Sequence, residues 1–194
     1  MERTTPADVL DFWFGQAGEP DYGLPRAAWF HKDPAFDETI LQRFLPAVEA
    51  ALAGRLTAWA GEPSGLLALL ILLDQFPRNL FRNTAQAFAG DPPARQLAEQ
   101  ALARGWDREL LPVQRVFAYL PFEHSETLAD QERSLVLFAA LATEHSGYDG
   151  YLDYARRHHE VIARFGRFPH RNAVLGRPDT LEEADYLAQP GSGF

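Results

Sequence analysis

The sequence contains no cysteine, and its 18 lysine and arginine residues are outnumbered by 27 aspartate and glutamate residues. Without cysteine the chain forms no disulfide, no thiolate metal site and no cysteine nucleophile. A formal net charge of −9 disfavours nucleic acid and anionic membranes as partners, because both attract a basic surface. The longest apolar run, residues 66–73, is too short to cross a bilayer, and the first residues lack a signal-peptide pattern. We therefore expect a soluble, cytoplasmic protein, whose oligomeric state the sequence leaves open.

Strand patterns are also missing, since no segment alternates polar and apolar residues with β-branched enrichment. Helix signals replace them: Thr or Asp followed by Pro marks helix starts, and glycines mark helix ends. Capping boxes are expected at Thr127–Asp130 and Thr180–Glu183. Short loops favour antiparallel helix pairs. The sequence therefore predicts one all-α domain over residues 1–194, with about eight helices and a loose tail from about residue 189.

A central helix is predicted where residues 66–73 are apolar on every side, and the motif DQFPRN follows it directly. Pro77 has no backbone N–H and disfavours a helical Phe76, so we expect the helix to kink or end there. Asp74 at this buried end needs a partner. Arg78 and Asn79 are the nearest donors.

The motif GRFPHRN follows the penultimate long helix, predicted at about residues 148–165. On that helix either His158 or His159 faces inward, while Arg157 and Arg164 are expected outside, paired at i,i+4 spacing with Asp153 and Glu160. Beyond Gly166, the turn presents arginines able to bind a carboxylate or phosphate through a guanidinium fork. The same arginines could instead cap helix carbonyls or pair with carboxylates. The candidates are Arg167, His170, Arg171 and Asn172.

A third polar motif, PFEHSE, lies between two predicted helices. Glu123 and His124 are residue types that serve as general acids and bases near neutral pH. The bland alternative is a helix cap, which accounts for Ser125 and Glu126 but leaves Glu123 and His124 unexplained. Metal-ligand spacings and nucleophile motifs are absent, so we expect neither a metal site nor a cofactor.

Several segments together resemble a bacterial domain-of-unknown-function family grouped with the tetratricopeptide-like helical superfamily. The resemblance covers residues 11–187 and rests on DFWFG, LLDQFPRNLFR, YLPFEHSE, DQERSLVLF and HHEVIARFGRFPHRNAVLGR. It implies a right-handed stack of antiparallel helix pairs with a concave surface. It implies no established activity, so no catalytic role carries over.

These patterns lead to the hypothesis that the three polar motifs meet in one cleft. Such a cleft would bind a small anionic ligand or an acidic peptide terminus. The alternatives are a metal-independent enzyme, with Glu123 and His124 as acid and base on an anionic substrate, and a purely structural partner protein. The expected ligand-binding residues are Asp74, Arg78, Asn79, Glu126, Arg167, His170, Arg171 and Asn172.

Overall fold

A computed structural model of the chain describes residues 4–193, and across that range it contains helices and turns but no β-strand. The predicted all-α class is therefore confirmed. The α-helices are α1 (Pro6–Phe14), α2 (Pro34–Leu52), α3 (Pro63–Leu70), α4 (Phe76–Leu80), α5 (Asp91–Ala103), α6 (Pro112–Glu123), α7 (Leu128–Glu144), α8 (Asp149–Phe165) and α9 (Leu181–Leu187). A π-helical segment, Ile71–Gln75, joins α3 to α4 without a break. If α3 and α4 are counted as one continuous helix, residues 4–193 contain eight helices, in agreement with the predicted number of about eight.

Most helix starts and ends form at the predicted residues. Thr5 and Asp8 form a reciprocal capping box at the start of α1, and Thr180 and Glu183 form another at α9. At the end of α8, Gly166 adopts the left-handed conformation with φ of 68°. These signals act over three or four residues, which explains why the sequence reveals them.

The predicted capping box at the start of α7 is wrong. The Thr127 side chain makes no cap hydrogen bond. Instead, the Ser125 hydroxyl donates to Asp130 Oδ2 at 2.8 Å and accepts from the Thr127 N–H at 3.2 Å. The Thr127 N–H, which would donate to Asp130 in a capping box, is therefore engaged by Ser125.

The chain divides into two compact units, which comprise residues 4–82 with 86–121 and residues 83–85 with 122–193. In the first unit, α3 is buried on all sides, as predicted for a central helix. Aromatic side chains from several helices pack edge-to-face and stacked beside it. They include Trp13, Phe14, Trp29, Phe44, Phe76 and Phe117.

The predicted end of the helix at Pro77 is wrong, whereas the kink given as the other possibility stays a prediction. Phe76 keeps helical angles (φ −58°, ψ −37°), and its N–H donates to Ile71 O across a widened π-turn. The N–H that Pro77 lacks would have bonded the carbonyl of Leu73 in a regular α-helix. Gly90 lies directly against that carbonyl, since a Cβ on Gly90 would approach Leu73 O to 2.0 Å. The widened turn thus carries the helix past the proline, with no break in the chain of helical residues.

In the second unit, α7 and α8 pack against each other and are connected by the short loop 145–148. The buried face of α8 carries Ala155, His158, Val161 and Ile162, so His158 rather than His159 faces inward. Arg157 and Arg164 are exposed as predicted, but the predicted i,i+4 pairs are wrong. Asp153 pairs with Arg156 at 2.7 Å, and Arg164 pairs with Glu182 at 2.8 Å.

No helix within residues 4–193 has the length and apolar character needed to cross a membrane.

Candidate functional site

The end of α6 places Glu123 and His124 where the helix enters the second unit. Glu123 is 3% exposed, and His124 is half-buried. The Gln131 amide from α7 closes this end, since its Nε2 donates to Glu123 O at 2.6 Å and to Ser125 O at 2.7 Å. Carbonyl oxygens at a helix end lack intrahelical donors. Gln131 therefore fixes the backbone that presents Glu123 and His124.

Glu123 lies beside the buried imidazole of His158. Glu123 Oε1 is 3.2 Å from His158 Nδ1, and the same nitrogen is 2.9 Å from Tyr154 O. A carbonyl oxygen only accepts hydrogen bonds, so Nδ1 carries the proton. In the neutral ring Nε2 is then the unprotonated nitrogen.

Two more basic side chains, His170 and Arg171 of the GRFPHRN turn, lie against the Phe168 ring, which also contacts His158. The Phe168 ring lies 5.5 Å from the rings of both His158 and His170, and Arg171 Cζ stands 4.4 Å above it. The His124 ring lies 6.2 Å from that of His158. We call Glu123, His124, His158, His170 and Arg171 the histidine cluster.

Electrostatics in this cluster keep His158 neutral. Burial, followed by the neighbouring His124, lowers the pKa of His158 to about 3, and Arg171 and His170 act in the same direction. The hydrogen bond to Tyr154 O opposes them, and so does the Glu123 carboxylate 3.2 Å from Nδ1, because a nearby negative charge favours the protonated ring. The cluster therefore holds several groups able to carry positive charge, and they disfavour one another's protonation.

The family follows from the sequence of the whole chain. Residues 9–191 match the family described as bacterial protein of unknown function (DUF924). The chain belongs to DUF924. A solved structure of a protein of unknown function from Agrobacterium tumefaciens is 45% identical, with a TM-score of 0.80, and the match covers 94% of this chain and 96% of that one. No curated protein matches the chain.

Glu126, one of the predicted ligand-binding residues, is held within this DUF924 chain by Arg177. Two Arg177 nitrogens donate to the Glu126 carboxylate at 2.7 and 2.9 Å, and the Phe168 N–H donates to it at 2.8 Å. Burial alone would raise the pKa of Glu126, but Arg177 and Phe168 lower it overall. Sequence reasoning missed Arg177, whose only signal was its place after Gly176 in a glycine-terminated turn.

Arg167 and Asn172 also make structural contacts. Arg167 donates to both oxygens of Glu183, at 2.6 and 2.7 Å, and thereby joins the turn to α9. Asn172 donates to Asp179 at 2.7 Å and accepts from Arg177 at 2.9 Å. Of the GRFPHRN side chains predicted to bind a ligand, His170 and Arg171 therefore remain within the histidine cluster.

The DQFPRN residues lie in the first unit, where they tie helices together. Arg78 pairs with Asp74 at 3.1 Å, as predicted for a buried carboxylate, and with Asp91 at 2.8 Å. Asn79 donates to Asp37 at 2.7 Å. The predicted meeting of this motif with the other two in one cleft stays a prediction.

Among residues 4–193, no group of three or more His, Asp or Glu side chains is placed to hold a metal ion. The Ser125 hydroxyl donates to Asp130 Oδ2 at 2.8 Å.

Two surface cavities lie outside the histidine cluster. One of about 230 Å³ borders α2 and α4 and includes Asn79. The other, of about 270 Å³, lies between α8 and the C-terminal turn.

Proposed function

We propose that the protein binds a small anion at the histidine cluster, with Arg171 as the principal cation. The observation that carries the proposal is a group of basic side chains: the His158 ring lies 6.2 Å from that of His124, and His158, His170 and Arg171 all lie around the Phe168 ring. The nearby carboxylates Glu126 and Glu183 are served by arginines outside the cluster.

An anion would relieve the mutual repulsion of these groups. Each imidazole that becomes protonated beside Arg171 costs free energy, and a negative charge placed among them returns part of it. Arg171 is 6% exposed, and a guanidinium in such surroundings binds a carboxylate or phosphate more strongly than one in water. The charge of the cluster thus favours an anion over a neutral or cationic ligand.

Access to the cluster runs through its two half-buried histidines. His124 and His170 are partly exposed, whereas His158 and Arg171 are buried. A small ligand would therefore meet the two histidines first. The shared chemistry is a carboxylate or phosphate, carried by a free metabolite or by the carboxyl terminus of a peptide.

Binding is favoured over acid–base catalysis by the state of His158. A general acid or base works best when its pKa lies near the operating pH. With a pKa of about 3, His158 is a weak base at neutral pH and carries almost no proton to donate. The alternative is an enzyme that uses Glu123 and His124 as acid and base. A structure with a bound anion would test it by showing whether these two side chains contact the anion.

Titration of phosphate and acetate into the protein tests the proposal. Side-chain ¹H–¹⁵N spectra of the histidines report on binding. We expect the His124 and His170 signals to shift, and His124→Gln and His170→Gln each to weaken binding about tenfold. His159→Gln is the matched control, because His159 lies next to His158 on α8 but outside the cluster.

Two results would overturn the proposal: unchanged histidine spectra at saturating anion, or equal affinity in all three variants. A peptide tested as free acid and as amide distinguishes the sources. If only the free acid binds, and more tightly than acetate, the ligand is a chain terminus.

Two broader features also belong to this proposal. The pairing of α7 with α8 through a short loop supports tetratricopeptide-like, right-handed stacking of helix pairs. The net charge of −9 supports action on a small ligand in the cytoplasm rather than on nucleic acid or a membrane surface.

A further inference from the structure

The cavity of about 270 Å³ in the second unit lies between α8 and the C-terminal turn. Its lining on α8 consists of Arg157, Glu160, Val161, Arg164 and Phe165. Tyr186 of α9 and Gly191 of the C-terminal turn complete the wall. The turn is held by hydrogen bonds, since Ser192 Oγ donates to Leu187 O at 3.1 Å and the Gln189 N–H donates to Tyr186 O at 3.0 Å.

The floor of this cavity is apolar and aromatic. The Phe165 and Tyr186 rings lie 5.1 Å apart at an angle of 51°, beside the buried side chain of Val161. Two tilted rings of this kind present π-faces and edges to which a third ring can pack. Burial raises the pKa of Tyr186, so its phenol stays protonated and able to donate a hydrogen bond at neutral pH.

The rim carries charges of both signs. Two arginines and one glutamate line the cavity, and Arg164 is paired with Glu182 at 2.8 Å. Arg157 stacks on the Tyr154 ring at 5.2 Å, and among residues 4–193 it forms no ion pair. A guanidinium without a carboxylate partner at the edge of an aromatic cavity is suited to a carboxylate that also carries a ring.

We propose that this cavity binds a small aromatic carboxylate, with the ring against Phe165 and Tyr186 and the carboxylate on Arg157. Its volume of about 270 Å³ is below the roughly 300–1,000 Å³ of pockets for drug-sized ligands, which favours a single-ring molecule over a nucleotide. The site shares no residue with the histidine cluster. The test of this cavity is therefore independent of the test of anion binding at the histidine cluster.

Four probes separate the parts of this proposal. Benzoate carries both ring and carboxylate, benzyl alcohol lacks the charge, acetate lacks the ring, and octanoate replaces the ring by a flexible chain. Ligand-observed saturation-transfer NMR and chemical-shift mapping on the ¹⁵N-labelled protein measure binding. We expect benzoate to shift amides of α8 and α9 and to bind at least about tenfold more tightly than benzyl alcohol or acetate.

Arg157→Gln and Arg156→Gln form a matched pair of variants. Both arginines are exposed neighbours on α8, but Arg156 is paired with Asp153 and does not line the cavity. We expect Arg157→Gln to weaken benzoate binding about tenfold and Arg156→Gln to leave it unchanged. Tyr186→Ala should also reduce it, because the ring contact is lost.

The proposal is overturned if benzoate produces no shifts at α8 and α9, or if the two arginine variants bind it equally. Tighter binding of octanoate than of benzoate would overturn the aromatic assignment. If benzoate shifts only the histidine cluster, this cavity is not its site. Loss of phosphate binding in the His170→Gln variant, with benzoate binding intact, would support two separate sites.

Discussion

Gly90 gives the sharpest test of the packing around the π-helical segment. Its backbone angles, φ −88° and ψ −8°, suit any residue, so replacing it by alanine introduces no backbone strain. The new Cβ, however, would lie 2.0 Å from Leu73 O and 2.8 Å from Leu73 C. Both are backbone atoms of a buried segment and have no side-chain rotation by which to move away.

The expected cost follows from two opposing effects. Overpacking of a well-packed interior costs about 1–3 kcal/mol, and the separation implied here places Gly90→Ala at the upper end. The reduced entropy of the unfolded chain returns about 0.4–1 kcal/mol. We therefore expect Gly90→Ala to lower the free energy of unfolding by about 2 kcal/mol.

Gly150→Ala is the matched control, since it lies in the first turn of α8 and a Cβ there meets nothing within 4 Å. Alanine in a helix is favoured over glycine by about 0.5–1 kcal/mol, so this variant should be more stable than the wild type. Urea unfolding, followed by circular dichroism and tryptophan fluorescence with coincident transitions, measures both changes. A Gly90→Ala protein within about 0.5 kcal/mol of wild type would refute the close approach to Leu73.

The remaining predictions concern polar groups of the second unit. Arg177→Met should cost about 2 kcal/mol, less than the 3–5 of a fully buried pair, because Arg177 and Glu126 remain 24% and 28% exposed. Arg156→Met, which removes an exposed pair, should cost only a few tenths of a kcal/mol in the same urea unfolding assay. His158 should stay neutral in the folded protein at pH 5, as NMR titration of its ring would report, because its pKa is lowered from 6.5 to about 3. Since the unfolded chain takes up this proton first, stability should fall as the pH drops through that interval. Glu183, whose pKa is lowered from 4.5 to about 2 by Arg167 and Thr180, contributes stability above pH 4.5 that is lost as the pH falls towards 2. Glu183→Gln should therefore flatten the acid limb of the stability curve.

Each of these expectations has a clear contrary outcome. Equal losses in Arg177→Met and Arg156→Met would show that the Glu126 contact contributes no more than a surface pair. A His158 ring that titrates near pH 6.5 would mean that burial does not control it. An unchanged acid limb in Glu183→Gln would assign the loss of stability to other carboxylates.

Local signals account for what the sequence predicted well. The N-cap at Thr5, the capping box at Thr180, the left-handed Gly166 and the apolar central helix all depend on neighbours within a few positions. A hydrogen bond from N-cap to N3 forms in almost any tertiary context. The inward side of α8 followed from periodicity alone, although adjacent His158 and His159 needed the structure to separate them.

The errors arose where a distant residue competed with a local preference. Pro77 disfavours a helical Phe76, yet the helix continues through a π-turn. Residues 71–76 are buried, so tertiary packing outweighs this local preference. Asp153 and Glu160 lie at i,i+4 spacing from arginines on α8, but Arg164 instead forms an ion pair with Glu182 of α9. Surface pairs at helical spacing are weak, so small differences in geometry decide among partners.

By itself the sequence determined the helical class, most helix boundaries and the presence of three polar motifs at helix ends, because these depend on residues close together in the chain. Tertiary structure alone decided which charges meet. Arg177 reaches Glu126 across 51 positions, and Asn79 reaches Asp37 across 42. Partner choice over such distances depends on how helices pack, and helix packing depends on the shape of the whole interior. The contacts of Glu126, Arg167 and Asn172, and the place of His158 beside Glu123, therefore came only from the fold.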